Sequence, residues 1–297
     1  MTIATGNFAE LLWPGIREIY GTSYNDFPAL YTKVFEVKKS TLAFEKEQGV
    51  TGLGLAAVKT QGSPASYQDP FQGFQEEYVN TTYALGTTIT REMYEDDQYN
   101  YIREAPKWLA RSMRQTEETV TWNHINRATN TSFTGSDGVV LAATTHVLVG
   151  GGTASNLETA ADLSQTTLET ATQNLLDTLD DQSMRIRIMP KCLVVPTALN
   201  HTARKLLEGD FVIGSADNDP NTTKGLFQDL VVCPYLTDTD GWAIITDVPH
   251  GFTFYDRRAS EIVRDNEFDT QNMKILTTRR FSSGFTDWRC IRYNAGV

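Results

Sequence analysis

The longest helical pattern in this chain covers residues 94–130 and reads YEDDQYNYIREAPKWLARSMRQTEETVTWNHINRATN. Its apolar residues recur three, four or seven positions apart, and they are Ile102, Ala105, Leu109, Met113, Val120, Ile125 and Ala128. This spacing places them on one face of a helix, while charged residues occupy the other face. At about 1.5 Å per residue the helix would extend roughly 45–50 Å. We therefore expect a spine helix across an elongated subunit, with a kink or a restart near Pro106.

The sequence offers the spine helix no matching partner helix. The charged residues of the spine do not form the pairs of a coiled-coil heptad, and no second helix of similar length is predicted.

The chain has 297 residues, of which 40% are hydrophobic, enough for one large or two modest cores. Its net charge of −11 comes from dispersed acidic residues, and no basic patch typical of nucleic-acid-binding proteins is visible.

No apolar run is long enough to cross a membrane, and the first residues lack the pattern of a secretory signal. We therefore expect a soluble protein assembled in a cytoplasm, with no membrane partner. The three cysteines, Cys192, Cys233 and Cys290, are far apart and have apolar or aromatic neighbours. They are predicted to be core residues rather than disulfide or metal-binding residues.

The segments before the spine are predicted to need cover from other subunits. Residues 1–30 are rich in aromatic side chains but are interrupted by glycine and proline, which indicates an arm without a core of its own. Residues 31–90 change to a period of two around a glycine-rich passage, which indicates a long β-hairpin with a flexible tip. A two-stranded ribbon is marginally stable alone, so neighbouring subunits should hold it.

An α/β pattern follows the spine. Ser164 is a predicted N-cap for the next helix, and residues 192–195 form a predicted buried strand that ends at Pro196. A helix over 197–208 and strands over 230–233 and 242–245 follow, and the remaining residues are predicted to be strands.

Motifs for catalysis, cofactor binding and metal binding are missing from the sequence. The four histidines are His124, His146, His201 and His250. They are scattered without ligand spacing, so each is expected to be a surface or packing residue. The glycine-rich stretches are not followed by the lysine of a phosphate loop, and no nucleophile elbow occurs. We predict no catalytic, cofactor-binding or metal-binding residues, and hence no enzyme.

The order of arm, hairpin, spine helix, α/β segment and returning strands resembles the major capsid proteins of tailed bacteriophages with the HK97-type fold, an α+β fold, and especially the major head subunits of Mu-like phages. The motifs that carry the likeness are residues 8–15 (FAELLWPG), 89–97 (ITREMYEDD), 137–141 (DGVVL) followed by His146, 193–197 (LVVPT) leading to 206–207 (LL), and 279–289 (RRFSSGFTDWR). Each motif alone is weak, whereas the ordered set is fairly specific and spans the whole chain.

The resemblance implies five segments: an N-terminal arm (1–30), an extended hairpin or E-loop (31–90), the spine helix and first part of a peripheral domain (91–150), an axial domain (151–261), and returning peripheral strands (262–297). It implies hexamers and pentamers of an icosahedral shell that encloses double-stranded DNA without sequence-specific binding, and thus a virion location. The implied partners are copies of the chain, a separate scaffolding protein, a portal and a cement protein.

Contacts between subunits are expected from the arm and the hairpin tip. The candidate residues are Phe8, Leu11, Leu12, Trp13, Tyr20, Gly49, Gly52, Gly54, Lys59 and Phe71. Some relatives crosslink subunits through a lysine, but nothing identifies a partner for Lys59, and no crosslink is predicted. Two alternatives stay open: a subunit of an encapsulin-like compartment, and an α/β enzyme with its site in the loop over 210–225, which lacks a recognisable nucleophile or base.

Overall fold

The computed structural model describes residues 8–70, 72–96, 101–182, 184–212, 219–267, 269 and 271–297. The helices are α1 (Phe8–Asn25), α2 (Arg91–Glu95), α3 (Tyr101–Asn126), α4 (Gln165–Leu176) and α5 (Asn200–Glu208). The strands are β1 (Glu36–Lys39), β2 (Phe44–Val50), β3 (Gln72–Val79), β4 (Thr81–Ile89), β5 (His146–Val147), β6 (Thr153–Ala154), β7 (Pro190–Pro196), β8 (Asp229–Cys233), β9 (Trp242–Thr246), β10 (Phe252–Asn266), β11 (Met273–Phe285) and β12 (Ile291–Asn294).

Two four-stranded sheets organise the chain. The peripheral sheet has the strand order β1-β10-β11-β4, and the central sheet has the order β12-β9-β7-β8. Strands β2 and β3 form a separate two-stranded ribbon, with Glu47 opposite Glu76. The expected hairpin is therefore divided, because its outer limbs β1 and β4 join the peripheral sheet and only its middle part forms a ribbon.

The division into domains differs from the expected one at two places. The boundary expected at residue 261 falls inside β10, which is continuous from Phe252 to Asn266. Strand β12, expected with the peripheral strands, pairs instead with β9 of the central sheet, where all four of its residues are buried. Sheet membership depends on pairing between residues far apart in sequence, so local pattern did not reveal it.

The spine helix α3 has 26 residues, from Tyr101 to Asn126. It buries the predicted apolar face, including Leu109, Met113 and Ile125. The helical pattern restarts as expected, since the short helix α2 ends at Glu95 and α3 begins at Tyr101, with Pro106 in its second turn, while residues 97–100 lie outside the described residues. At its C-terminal end the predicted helix was too long, because α3 ends at Asn126 and not at Asn130.

The arm contradicts the expectation that the chain cannot cover it. Residues 8–25 form one helix, α1, although it contains Pro14. Ile16 and Tyr20 of α1 are buried in a cluster with Leu109 of α3 and Ile275 of β11. The partner helix that the sequence did not reveal is therefore α1 itself, and this part of the arm packs on its own subunit.

One large apolar cluster joins the two sheets. It contains the aromatic residues Phe35, Trp122, Phe252, Phe254 and Phe281 together with aliphatic residues of the central sheet such as Val194 and Ile245. Burying a side chain of this size stabilises a fold by about 1.5–3 kcal/mol. The two sheets consequently share this cluster, while further buried clusters contain Leu193 and Trp242 of the central sheet and Ile275 of the peripheral sheet.

The three cysteines are free and buried, as predicted. Burial raises the pKa of the Cys192 and Cys233 thiols to about 12, so neither forms a reactive thiolate near neutral pH. Other local predictions are also confirmed: Ser164 caps α4 by accepting a hydrogen bond from the Thr167 amide at 3.3 Å, and β7 ends at Pro196.

Candidate assembly surface

The base of the β2–β3 ribbon is fixed to the body of the subunit by a buried carboxylate. Glu47 of β2 is 8% exposed and accepts hydrogen bonds from the Tyr255 hydroxyl at 2.5 Å, the Lys38 ammonium at 2.7 Å and the Thr286 hydroxyl at 3.0 Å. Burial alone would raise the pKa of Glu47, but these hydrogen bonds and the charge of Lys38 outweigh it and lower the pKa. Glu47 is thus a charged anchor for the ribbon.

A second set of contacts holds the other strand of the ribbon. The Tyr78 hydroxyl lies 2.6 Å from the Thr286 hydroxyl, and the ring of Tyr78 packs at 5.1 Å from that of Tyr255. Asn80, directly after β3, donates from its amide to the Ser40 hydroxyl at 2.8 Å. The base of the ribbon is therefore part of the subunit's own structure.

The two strands approach closely at a glycine pair in the ribbon. A Cβ added to Gly73 would lie 2.6 Å from the Gly49 carbonyl oxygen, closer than such atoms can approach. The pairing register shifts at this point, between Gln48 and Val50, as at a β-bulge. The close approach explains the glycine at position 73, and it gives Gly49 a role inside the ribbon.

The tip over 51–70 carries exposed apolar side chains. Leu53, Leu55, Val58 and Tyr67 are 53%, 82%, 94% and 93% exposed. Leu55 borders an open hollow beside Met184 of the same chain but stays largely uncovered. Such side chains on a loop without regular structure are typical of a surface that another molecule covers.

Two local interactions shape the tip. The Gly54 amide donates to the Gln68 side chain at 2.9 Å, which brings the two limbs together. The chain then turns at Gly62, whose φ of 85° favours glycine, and the Ser63 amide donates to the Thr60 carbonyl oxygen at 3.1 Å. The tip is therefore a loop whose limbs are joined by polar contacts while its apolar side chains face outward.

The predicted contact residues occupy different surroundings. Phe8, Leu11 and Leu12 lie in the first turns of α1, and Phe71 lies outside the described residues. Gly52, Gly54 and Lys59 lie in the tip.

Two arm residues of the predicted set contact the body of the subunit. Trp13 is partly buried, with the Arg264 guanidinium 5.4 Å above its ring. The assignment of Tyr20 to an intersubunit contact is wrong: Tyr20 is 4% exposed, and its hydroxyl lies 2.5 Å from that of Thr277 inside the subunit. The helical spacing from Ile16 to Tyr20 was the signal that α1 has a buried face.

Sequence reasoning missed the apolar tip residues. Leu53, Leu55, Val58 and Tyr67 have no helical or strand period, so no pattern distinguished them from a flexible loop. Their apolar character inside a glycine-rich stretch was the available signal.

His146 has a packing role, in agreement with the prediction for the histidines. Its Nδ1 lies 2.6 Å from Asp137 Oδ2, and its Nε2 lies 3.0 Å from Asn156 Oδ1. The Asn156 amide donates to the carbonyl oxygens of Leu141 and Trp288 at 2.7 Å and 2.9 Å, and the His146 ring stacks on that of Trp288. The DGVVL motif and His146 therefore join the loop over 135–157 to the chain that leads into β12.

Side chains able to bind a metal ion are dispersed in the described part of the chain. Within the parts of the chain that the structure covers, no three His, Cys, Asp or Glu side chains converge as a metal site. No helix among those parts is both long and apolar enough to span a bilayer. In the loop over 210–225, residues 213–218 lie outside the described residues, while the Asn221 amide and the Thr223 hydroxyl donate to the Leu206 carbonyl oxygen near the end of α5.

Three solved structures similar to this chain are subunits of capsids or of a virus-like particle. One is the capsid of a native GTA particle, with 12% identity, 91% of this chain and 90% of that chain covered, and a TM-score of 0.58. Another is the capsid of bacteriophage JBD30 decorated with minor capsid protein trimers, with 13% identity, 71% and 92% covered, and a TM-score of 0.58. A third is a virus-like particle from Pyrococcus furiosus, with 11% identity, 94% and 97% covered, and a TM-score of 0.56.

At these identities the likeness establishes the fold, which is the HK97-type fold expected from the resemblance. No curated protein matches the chain in sequence. A family model described as phage capsid protein matches residues 75–294, from the ribbon through β12. Because that match covers well over half of the 297 residues, the chain belongs to the phage capsid protein family.

Proposed function

We propose that this chain is the major head subunit of a tailed phage, a structural protein without enzymatic activity, which forms hexamers and pentamers of an icosahedral shell around double-stranded DNA. The observation that carries the assembly mechanism is the tip: its base is tied to the body through Glu47, whereas Leu53, Leu55, Val58 and Tyr67 stay exposed.

The mechanism follows from the contrast between base and tip. An anchored base presents the tip in a defined direction and reduces the entropy lost when the tip is covered. Burying apolar surface on a neighbour then supplies binding free energy in proportion to area, about 25 cal/mol per Å². Head-to-tail contacts of this kind close into rings, as hexamers and pentamers require.

The charge of the chain supports a container for DNA. A net charge of −11 disfavours tight binding to phosphates. Each phosphate neutralised by a protein cation adds affinity through counterion release, so an acidic wall lets DNA be packed without being held. We accordingly propose sequence-independent enclosure of DNA.

Assembly partners complete the proposal. We propose a separate scaffolding protein, a portal and a cement protein, with assembly in the host cytoplasm and no membrane step. The decorated JBD30 capsid supports the cement protein, because its subunit has the same fold and carries minor capsid protein trimers.

A compartment of the encapsulin type is the second candidate. It is favoured by the similarity to the virus-like particle from Pyrococcus furiosus, which covers 94% of this chain. A compartment of this kind encloses protein cargo, whereas a phage head is filled with DNA. The Mu-like subtype remains a proposal that rests on the sequence motifs alone.

The test is to express the chain alone and together with a scaffolding protein, and to examine both samples by sedimentation and negative-stain microscopy. We expect closed shells of uniform size with the scaffold. Small monodisperse particles under every condition would overturn the shell. Uniform shells that form alone and purify with a protein cargo would favour the compartment.

A further inference from the structure

The exposed face of the spine helix concentrates positive charge in an otherwise acidic protein. Arg103, Lys107 and Arg111 of α3 are exposed and lie four residues apart, so they form one row along the helix. At about 1.5 Å per residue the row is roughly 12 Å long. A row of three cations is notable in a chain with 26 basic and 37 acidic residues.

The ion pairs of the described residues neutralise only part of this charge. Lys107 pairs with Glu104 at 2.7 Å, a solvent-exposed pair that competes weakly with other partners. In the described part of the chain, no carboxylate forms an ion pair with Arg103 or Arg111. Among the described residues, two of the three cations are therefore not neutralised by a carboxylate.

Aromatic side chains lie within the same surface. Trp108 is 54% exposed, next to Lys107 and one turn from Arg111. Phe27 is 42% exposed, and the Arg111 guanidinium lies 5.6 Å from the centre of its ring. Tryptophan and arginine are the residues that most often dominate protein–protein binding energy.

We propose that this surface, formed by Arg103, Lys107, Trp108, Arg111 and Phe27, binds an acidic amphipathic helix of a partner protein. Carboxylates on one edge of such a helix would pair with the row of cations, and apolar side chains would cover Trp108 and Phe27. A bound amphipathic helix presents its anchors three to four residues apart, which matches the four-residue spacing of the cations on α3.

Charge and composition together favour a protein segment over duplex DNA. A phosphate backbone requires cations but offers no apolar surface to cover exposed Trp108 and Phe27, whereas an amphipathic acidic helix satisfies both needs. This inference rests on the proposed function, because it names the kind of assembly partner that the shell subunit recruits.

The test measures binding to the purified full-length subunit and does not require shells to form. The probes are a fluorescent 20-residue helical peptide with glutamates on one face and leucines on the other, the same peptide with lysines in place of glutamates, and a fluorescent 20-base-pair duplex DNA. Anisotropy is recorded at low and at physiological salt, because exposed charge pairs are screened by ions.

We expect the acidic peptide to bind and the basic peptide not to bind. The double variant Arg103→Glu with Arg111→Glu should weaken binding about tenfold or more, since it reverses two charges. Trp108→Ala should weaken it by roughly fivefold to tenfold with little change in salt dependence. Arg204→Glu, which reverses an exposed helical arginine on α5 paired with Glu208, is the matched control and should leave binding unchanged.

Three results would overturn the proposal: no binding of the acidic peptide, equal loss in the Arg204→Glu control, or preferential binding of the duplex DNA that is lost in the double variant. Circular dichroism confirms that each variant is folded. Failure of shell assembly would refute the proposed function without changing these binding results, so the two failures are distinguishable.

Discussion

Shortening two exposed side chains of the tip should weaken assembly without unfolding the subunit. The change is the double substitution Leu55→Ala with Val58→Ala. Leu55 is 82% exposed and Val58 is 94% exposed, so the subunit alone gains little from either side chain. A neighbouring copy that covers the tip would gain almost their full burial.

The magnitude follows from these exposures. At about 0.8 kcal/mol per buried carbon, Leu→Ala loses roughly 2.4 kcal/mol and Val→Ala roughly 1.6 kcal/mol on full burial. Weighted by the exposed fractions, about 3.5 kcal/mol should be lost from each contact between subunits, and about 0.5 kcal/mol from the folding of one subunit. Since 1.4 kcal/mol is a factor of ten, the contact should weaken by two to three orders of magnitude.

The assay combines assembly and folding. Particle yield is measured by sedimentation over a series of subunit concentrations with scaffold, and urea unfolding is measured on the unassembled subunit. We expect a threshold concentration for assembly at least tenfold higher, with an almost unchanged free energy of unfolding. Gln61→Ala, in the same tip, is the matched control and should assemble normally.

Two results would refute the reasoning. If the double variant assembled at the wild-type threshold, the tip would not be covered in the shell. If it lost folding, the tip would belong to the subunit's own core. A larger deletion must begin after Thr51, because Glu47 and Thr51 are buried in the same subunit and their loss would damage the base of the ribbon.

Three further predictions concern the subunit itself. Burial and the nearby charge of Asp137 raise the pKa of Glu76 to about 7. The folded subunit therefore binds more protons than the unfolded chain, and its free energy of unfolding should fall by roughly 1–2 kcal/mol, after allowing for solvent screening, as the pH rises from about 4.5 to about 8. Urea unfolding of Glu76→Gln should lack that loss. Arg279→Met should lower the free energy of unfolding by about 3–5 kcal/mol, because Glu117 would lose a main cationic partner. Glu117 is 0% exposed and pairs with the Arg279 guanidinium at 3.0 Å. A loss below 1 kcal/mol in urea unfolding would contradict this. Tyr20→Ala should cost about 3–5 kcal/mol in thermal unfolding of the unassembled subunit, and an unchanged melting temperature would show that α1 does not pack on its own body.

Much of the fold was predictable because it depends on local pattern. The apolar stripe of α3, the cap at Ser164 and the strand that ends at Pro196 are each specified by residues close together in sequence. The burial of the apolar stripe follows from its periodicity, which can be recognised without knowing the surface that it packs against.

The candidate surface was less predictable. The tip was expected to contact neighbours, but the expectation named its glycines and Lys59, whereas the structure exposes Leu55 and Val58. In a loop without a period, the exposure of an apolar side chain depends on what the rest of the chain covers, and this is known only once the chain is folded.

The sequence by itself determined the class of this protein: a helical spine, an alternating hairpin, an α/β segment and buried cysteines, in an order that indicated a capsid subunit. Only the tertiary structure decided that α1 packs on α3, that β12 belongs to the central sheet, and that Glu47 ties the ribbon to Tyr255. The physical reason is how far apart in sequence the interacting residues lie. Periodicity and capping act between residues a few positions apart, whereas the anchor at Glu47 joins residues 208 positions apart and the buried arm joins Tyr20 to Thr277, 257 positions apart.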